Sequence, residues 1–252
     1  MSAAQSGRAS LFFLGRDVDA SREFYDVALG WSSRPGDGGN ATPPPTFVDA
    51  GASGSRGANC WVPCFAVPDS GAARDRVLQW GGEPAGEVPG SDGCSLYTAP
   101  EGALFALSGT APPRSATGRP GEVGFLDVYS SGARRAVDSL VDVLGLRVSD
   151  EPIVGPGDYR LLLSDGGPVA GVVDMTAVLP TAAASYWVPY VRVLDLDDAV
   201  ARLVDLGARV RVPVTDSSLG PFAVLADPEG IAFGLQTPVS DRLLEDHVPT
   251  RR

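Results

Sequence analysis

The chain has 252 residues, 44% of them hydrophobic, and a formal net charge of −11 at pH 7. That sign is wrong for a protein that tracks nucleic-acid phosphates or anionic membrane surfaces, and suits a chain held in solution by its own repulsion. All 20 basic residues are arginine, which excludes Schiff-base chemistry, a lysine general base and a phosphate-loop lysine.

Met1 to Ser10 is polar and lacks the apolar core of a signal peptide, and no later run of about eighteen apolar residues could span a bilayer. Leu11 to Leu14 reads as a strand. Asp17 is a natural N-cap for a helix through Tyr25 and Leu29, which Gly30 stops. Residues 34–59, rich in Gly, Pro, Ser and Ala, read as a long loop. The Gly-Asp-Gly-Gly stretch at 36–39 has neither phosphate-loop nor dinucleotide-binding spacing. A strand follows over Cys60–Val67, then Asp69 and a helix ending at Trp80-Gly81-Gly82, then a hairpin closing at Leu107.

Prolines mark residues 111–121 as a linker. Beyond it come a strand over Val123–Tyr129, a helix reaching Leu144 before Gly145, and strands near Tyr159–Leu163 and Val169–Asp174. The last segment offers a strand over Trp187–Val193, a helix over Asp197–Leu206 stopped by Gly207, strands from Val210, and a final strand Ile231–Gln236. The three cysteines, Cys60, Cys64 and Cys94, form no paired framework and point to a reducing, cytoplasmic setting. Cys60 and Cys64 are too far apart along one strand to bridge.

Trp-Val-Pro occurs at residues 61–63 and again at 187–189, and Pro-Glu-Gly-x-x-Phe-x-Leu ends both halves, at Pro100–Leu107 and Pro228–Leu235. The near-constant offset reads as a tandem duplication. Four segments share one rhythm of strand, amphipathic helix and short strands. With Phe24-Tyr25, Leu29-Gly30-Trp31 and Asp227-Pro228-Glu229-Gly230, this rhythm resembles the glyoxalase, bleomycin-resistance and dioxygenase superfamily, the vicinal oxygen chelate proteins. The resemblance covers nearly the whole chain. It implies an α+β fold of four βαβββ modules, forming two tandem domains, each a half-open curved sheet around a cleft. The boundaries would be residues 8–110, a linker at 111–121, residues 122–238 and a polar tail at 239–252.

Catalytic branches of that superfamily hold a divalent metal at the first strand of each segment and at a closing-strand Glu. Carried over, those positions fall on Ser10, Val62, Phe125, Val188, Ala106 and Gly234, none of which ligates such an ion. His247, the one histidine, lies in the tail, so neither a two-histidine facial triad nor Ser-His-Asp catalysis can be assembled. No metal and no other cofactor is expected.

Strand alternation groups Phe125, Asp127 and Tyr129 on one face, with Val188, Tyr190 and Arg192 facing them from the fourth segment. The matching face of the first half carries Ser10, Phe12, Leu14, Val62, Cys64 and Ala66 and is almost wholly apolar, so the C-terminal cleft is the expected working site. Asp127, Tyr190 and Arg192 are the catalytic candidates. Phe125, Tyr129, Tyr159, Arg160, Val188, Phe222 and Gly234 are the ligand-binding candidates, with the strand phase around Tyr159 left open. A buried Asp127 would have a raised pKa, useful for proton transfer, or would be neutralised by Arg192 or Arg160 as a structural pair. Trp61 and Trp187 read as core beneath the helices.

Two functions fit. One is metal-independent enclosure of an apolar or aromatic small molecule, a natural product or xenobiotic. The other is a cofactor-free enzyme of secondary metabolism, a cyclase, isomerase or dehydratase, with Asp127 as general acid or base. Partners would be a small molecule only, without nucleic acid or membrane, in a monomer or homodimer.

Overall fold

A computed structural model describes residues 9–31, 44–53, 59–110, 119–151, 153, 158–178 and 184–237. The stretch at 36–39, most of the expected linker, the tail and His247 lie outside the described residues. In the N-terminal half the elements run β1 (Ala9–Gly15), α1 (Val18–Leu29), β2 (Thr46–Asp49), β3 (Cys60–Ala66), α2 (Ser70–Gln79), β4 (Glu83–Glu87), β5 (Cys94–Thr98) and β6 (Leu104–Ser108). The C-terminal half runs β7 (Val123–Ser130), α3 (Ala133–Leu144), β8 (Arg147–Val148), β9 (Tyr159–Ser164), β10 (Gly167–Asp174), α4 (Met175–Val178), β11 (Tyr186–Arg192), α5 (Leu196–Asp205), β12 (Arg209–Thr215), β13 (Phe222–Ala226) and β14 (Ala232–Gln236).

Local chemistry sets the helix ends. Asp17 caps α1 by accepting a hydrogen bond from the Ala20 N–H at 3.0 Å, and Asp69 and Asp195 do the same for α2 and α5. Gly30 and Gly145 close α1 and α3 at φ of 70° and 65°, a left-handed geometry that costs glycine little. The expected loop at 34–59 contains a strand: β2 lies parallel to β1, with Phe47 beside Phe13. The Gly and Pro residues around Thr46-Phe47-Val48 hide that short β-prone run from a composition-based reading.

In the N-terminal half the strands pair in the order β2-β1-β3-β6-β5-β4, and in the C-terminal half β8-β9-β10-β7-β11-β14-β13-β12. The two blocks join where Trp187 on β11 pairs with Trp61 on β3, giving one sheet of 14 strands. Helices α1, α2, α3 and α5 cover one face over a continuous apolar core that includes both tryptophans. The opposite face carries two separate clusters. One surrounds Phe12, Leu14, Val62, Cys64 and Leu96, the other Tyr129, Val173, Val188 and Tyr190.

Aromatic rings hold the first segment against the last. Phe13, Tyr25, Trp31 and Phe47 pack around Trp61, and Phe24 and Tyr25 touch Phe233. Their polar ends are all satisfied: Tyr25 donates to Asp227 Oδ2 at 3.0 Å, Trp31 to the Gly121 carbonyl at 2.8 Å, and Trp61 to the Ala232 carbonyl at 3.0 Å.

The three cysteines are free. Hydrogen bonding from Cys64 holds the Cys94 thiol below its ordinary value, whereas burial pushes Cys60 up to about 12. Thiolate is the reactive form, so iodoacetamide at pH 7 is expected to label Cys94 well before Cys60. Equal labelling rates by peptide mass spectrometry would contradict this.

Candidate functional site

A cavity of about 590 Å³, its open mouth included, lies against the helix-free face of the C-terminal half. β7 sends Phe125, Asp127 and Tyr129 into it, because alternate residues of a strand share a face. Tyr190 enters from β11, Tyr159 from β9 and Val173 from β10, while Val212, Phe222 and Gln236 come from β12, β13 and β14. Ile153, Ser217 and Leu219 close the mouth from loops. Gln236 is tied to that rim, donating to the Leu219 carbonyl at 2.7 Å. Nine of these twelve side chains are apolar or aromatic, so the wall offers affinity by desolvation and only a few polar groups to orient a guest.

Asp127 is 5% exposed. Burial pushes its carboxyl up from 3.8 to about 7, opposed in part by hydrogen bonds from Tyr159, Tyr190 and the Gly171 N–H. Tyr159 donates to Asp127 Oδ1 at 2.8 Å. The hydroxyls of Tyr129 and Tyr190 lie 3.2 Å apart and share a hydrogen bond. Burial, reinforced by the nearby Asp127 charge, holds all three phenols above their ordinary value, so they remain protonated hydrogen-bonding groups at neutral pH.

Two glycines make room for this network. A Cβ at Gly171 would sit 2.0 Å from the Tyr159 hydroxyl and 2.2 Å from Asp127 Oδ1. One at Gly234 would sit 2.2 Å from Tyr190 Cδ1. The tip of Tyr159 and the ring of Tyr190 thus approach bare backbone.

The remaining sequence candidates sit elsewhere. Val188 is fully buried beside Asp127 in the strand register, packed in the cluster below the cavity. Arg160 points outward and pairs with Asp158 at 3.2 Å. Arg192 does not line the cavity. The β7–β11 register slips between Tyr190 and Val191, and the Arg192 side chain lies over Gly124, its Nε buried without a hydrogen-bond partner among the described residues. Among the described residues no arginine pairs with Asp127, whose polar partners there are tyrosines and backbone. Sequence reasoning missed Ile153, Val173, Val212, Ser217, Leu219 and Gln236. Only Gln236, two residues beyond Gly234, carried an alternation signal that could have revealed it.

The N-terminal half presents a different counterpart. Phe12, Leu14, Val62, Cys64, Leu96 and Ala106 fill the equivalent face with packed apolar side chains.

The anthracycline biosynthesis protein DnrV of Streptomyces peucetius is 30% identical over an alignment that covers 91% of this chain and 92% of that one. The chain belongs to the glyoxalase-like family. The profile of the glyoxalase-like domain matches residues 127–236, the stretch that builds most of the cavity. Solved structures show the vicinal oxygen chelate fold. The Mn(II)-bound glyoxalase of Novosphingobium aromaticivorans superposes with a TM-score of 0.60 at 18% identity, covering 94% of this chain and 83% of its own. A 2,2′,3-trihydroxybiphenyl 1,2-dioxygenase from Sphingomonas wittichii gives 0.56 at 14%, covering 92% and 90%.

Metal-dependent glyoxalase-like proteins need ligating side chains at positions that this chain fills otherwise. Val62, Ala106 and Val188 are fully buried apolar residues, and the Tyr190 ring occupies the space above Gly234. Among the described residues no group of three or more His, Cys, Asp or Glu side chains could hold a metal ion. These residues do not fit a divalent metal of the family type. Among the described residues, no helix is long and apolar enough to cross a membrane.

Proposed function

We propose that this glyoxalase-like protein encloses an apolar or aromatic small molecule in its C-terminal cavity, without a metal, in the context of natural-product metabolism. The lining of the cavity carries the reading: its wall is aromatic and apolar around one buried carboxyl and three phenols. The anthracycline-biosynthesis role of DnrV supports the natural-product context. Enclosure supplies affinity, and Asp127, Tyr129, Tyr159 and Tyr190 orient the oxygen atoms of the guest.

Isothermal titration with a panel of hydroxylated polyaromatic compounds, anthracyclines among them, tests this. Saturable binding is expected, unchanged after exhaustive dialysis against EDTA. Phe125→Ala is expected to weaken it by about tenfold, as removal of a ring from the contact costs on the order of 1.4 kcal/mol or more. Absence of binding across the panel by a folded sample would defeat the proposal, and loss of binding with EDTA would defeat its metal-free part.

Asp127 favours a second reading, a cofactor-free enzyme. A carboxyl brought to about 7 divides between acid and base at neutral pH, and the adjacent phenols can hydrogen-bond an oxyanion as it forms. Isomerisation, cyclisation or dehydration would suit this equipment. Asp127→Asn separates the readings: turnover lost with affinity kept means catalysis, and unchanged turnover removes Asp127 from the chemistry.

A further inference from the structure

On the helix-covered face, between α2 and α3, lies another cavity of about 480 Å³, mouth included, with Trp187 in its wall and apolar side chains around most of it. It stands on the other side of the strands that carry Asp127 and Tyr190, since Val128 and Trp187 line it. None of the chain's 4 tryptophans lines the first cavity.

The surroundings of Trp61 show what is different here. Phe13 faces Trp61 across the β1–β3 register, and Val128 holds the same place against Trp187 across β7–β11. Counted back from the capping glycines Gly30 and Gly145, Tyr25 and Phe24 of α1 correspond to Leu140 and Ser139 of α3. Around Trp61 the phenylalanine and tyrosine rings fill the space. Around Trp187 a valine, a leucine and a serine leave a cavity.

The polar groups differ in the same way. The Trp61 indole N–H donates to Ala232, but the Trp187 N–H is buried and makes no hydrogen bond among the described residues. Glu101, whose side chain is 7% exposed, lines the same cavity, and among the described residues neither of its carboxylate oxygens accepts a hydrogen bond. Its nearest cation, Arg135, stands 3.8 Å away at the rim, an ion pair beyond hydrogen-bonding distance. Buried polar groups in native proteins are nearly always satisfied. A buried donor and a buried acceptor in one apolar cavity therefore define what would complete it.

We propose that this cavity is a second binding site, for a small molecule bearing a phenol ring. The ring takes the space that Tyr25 fills against Trp61 in the other copy. The hydroxyl donates to Glu101, as the Tyr25 hydroxyl donates to the buried Asp227 carboxylate, and the Trp187 N–H faces an oxygen of the guest.

The test uses p-cresol, which is the tyrosine side chain as a free molecule, and the indole N–H signals in a ¹H–¹⁵N spectrum of the full chain. Trp187→Phe assigns the reporting signal. Saturable movement of that signal with p-cresol is expected, with toluene at least tenfold weaker because it lacks the hydroxyl. Glu101→Gln is expected to weaken p-cresol about tenfold, since the acceptor loses its charge. Ser139→Phe, which returns a ring to the cavity, is expected to abolish the effect, and Glu101→Gln keeps the test decisive should that variant fail to fold. A Trp187 signal that stays still up to the solubility of p-cresol overturns the site. So does equal response to toluene, or full affinity in Glu101→Gln.

Discussion

Asp127→Asn is expected to make the protein more stable than its parent at neutral pH, and by a margin that vanishes in acid. At pH values below about 3.8 both folded and unfolded parent carry the proton on residue 127. From there to about 7 only the folded state still holds it, because burial keeps that carboxyl protonated. The unfolded state gains free energy by ionising, so this group's contribution to stability falls by about 1.4 kcal/mol per pH unit. Above about 7 the loss is complete, at a total on the order of 4 kcal/mol. Asparagine has no proton to release and can still accept from Tyr159, so the variant escapes the fall. Urea unfolding of both proteins between pH 4 and 8 reads the difference directly, and parallel stability curves would show that Asp127 is not held in its acid form. Other ionisable groups, including the buried Asp227 with its raised pKa, change both proteins alike and drop out of the comparison.

This cost bears on function. A carboxyl that destabilises the fold at neutral pH persists where another gain offsets it, and under the proposed function the gain is a group able to donate or accept a hydrogen bond to a guest, or to move a proton. The alternative that an arginine neutralises it finds no partner among the described residues, since Arg160 is occupied by Asp158 and Arg192 lies over Gly124.

The extent to which these features can be read from residue order follows the range of the interactions involved. Caps are local: Asp17, Asp69, Gly30 and Gly145 act on neighbours a turn away, and the helix ends fall beside them. Alternation is local too, so Asp127 and its companions on β7 could be grouped without a structure. The displacement of Arg192 is not local. It arises from a slip between β7 and β11, strands more than fifty positions apart in the chain, and nothing in Tyr190-Val191-Arg192 announces it. The same holds for Ile153, Ser217 and Leu219, whose place at the mouth depends on how loops close over the sheet. Ordinary strand alternation likewise could not settle which of Tyr159 and Arg160 faces inward. That choice is made by pairing of β9 with β10, which sets Tyr159 opposite Val173.

Gly171→Ala and Gly234→Ala are each expected to destabilise the protein by about 2–4 kcal/mol, more than an ordinary helix-neutral exchange of these residues. Neither glycine has the positive φ that restricts other residues, so the cost is steric alone. At 171 the added methyl meets both ends of the Tyr159–Asp127 hydrogen bond, and one of them must leave, uncovering a buried polar group. At 234 it meets the Tyr190 ring at 2.2 Å, a contact no real methyl tolerates, and the ring must swing into the cavity. The second case carries a built-in control. If the clash is with that ring, Tyr190→Leu should absorb much of the penalty, and a double-mutant cycle should give a coupling of 1 kcal/mol or more. Additive effects would place the strain elsewhere. The same geometry predicts that Gly234→Glu, which returns a carboxylate to the position where metal-dependent relatives carry theirs, gains no divalent-metal affinity on its own. The phenol ring stands in the way, and Val188 and Phe125 offer no further ligand. In this chain Gly234 serves as bare backbone beneath the Tyr190 ring, in a cavity that also holds Asp127, Tyr129 and Tyr159.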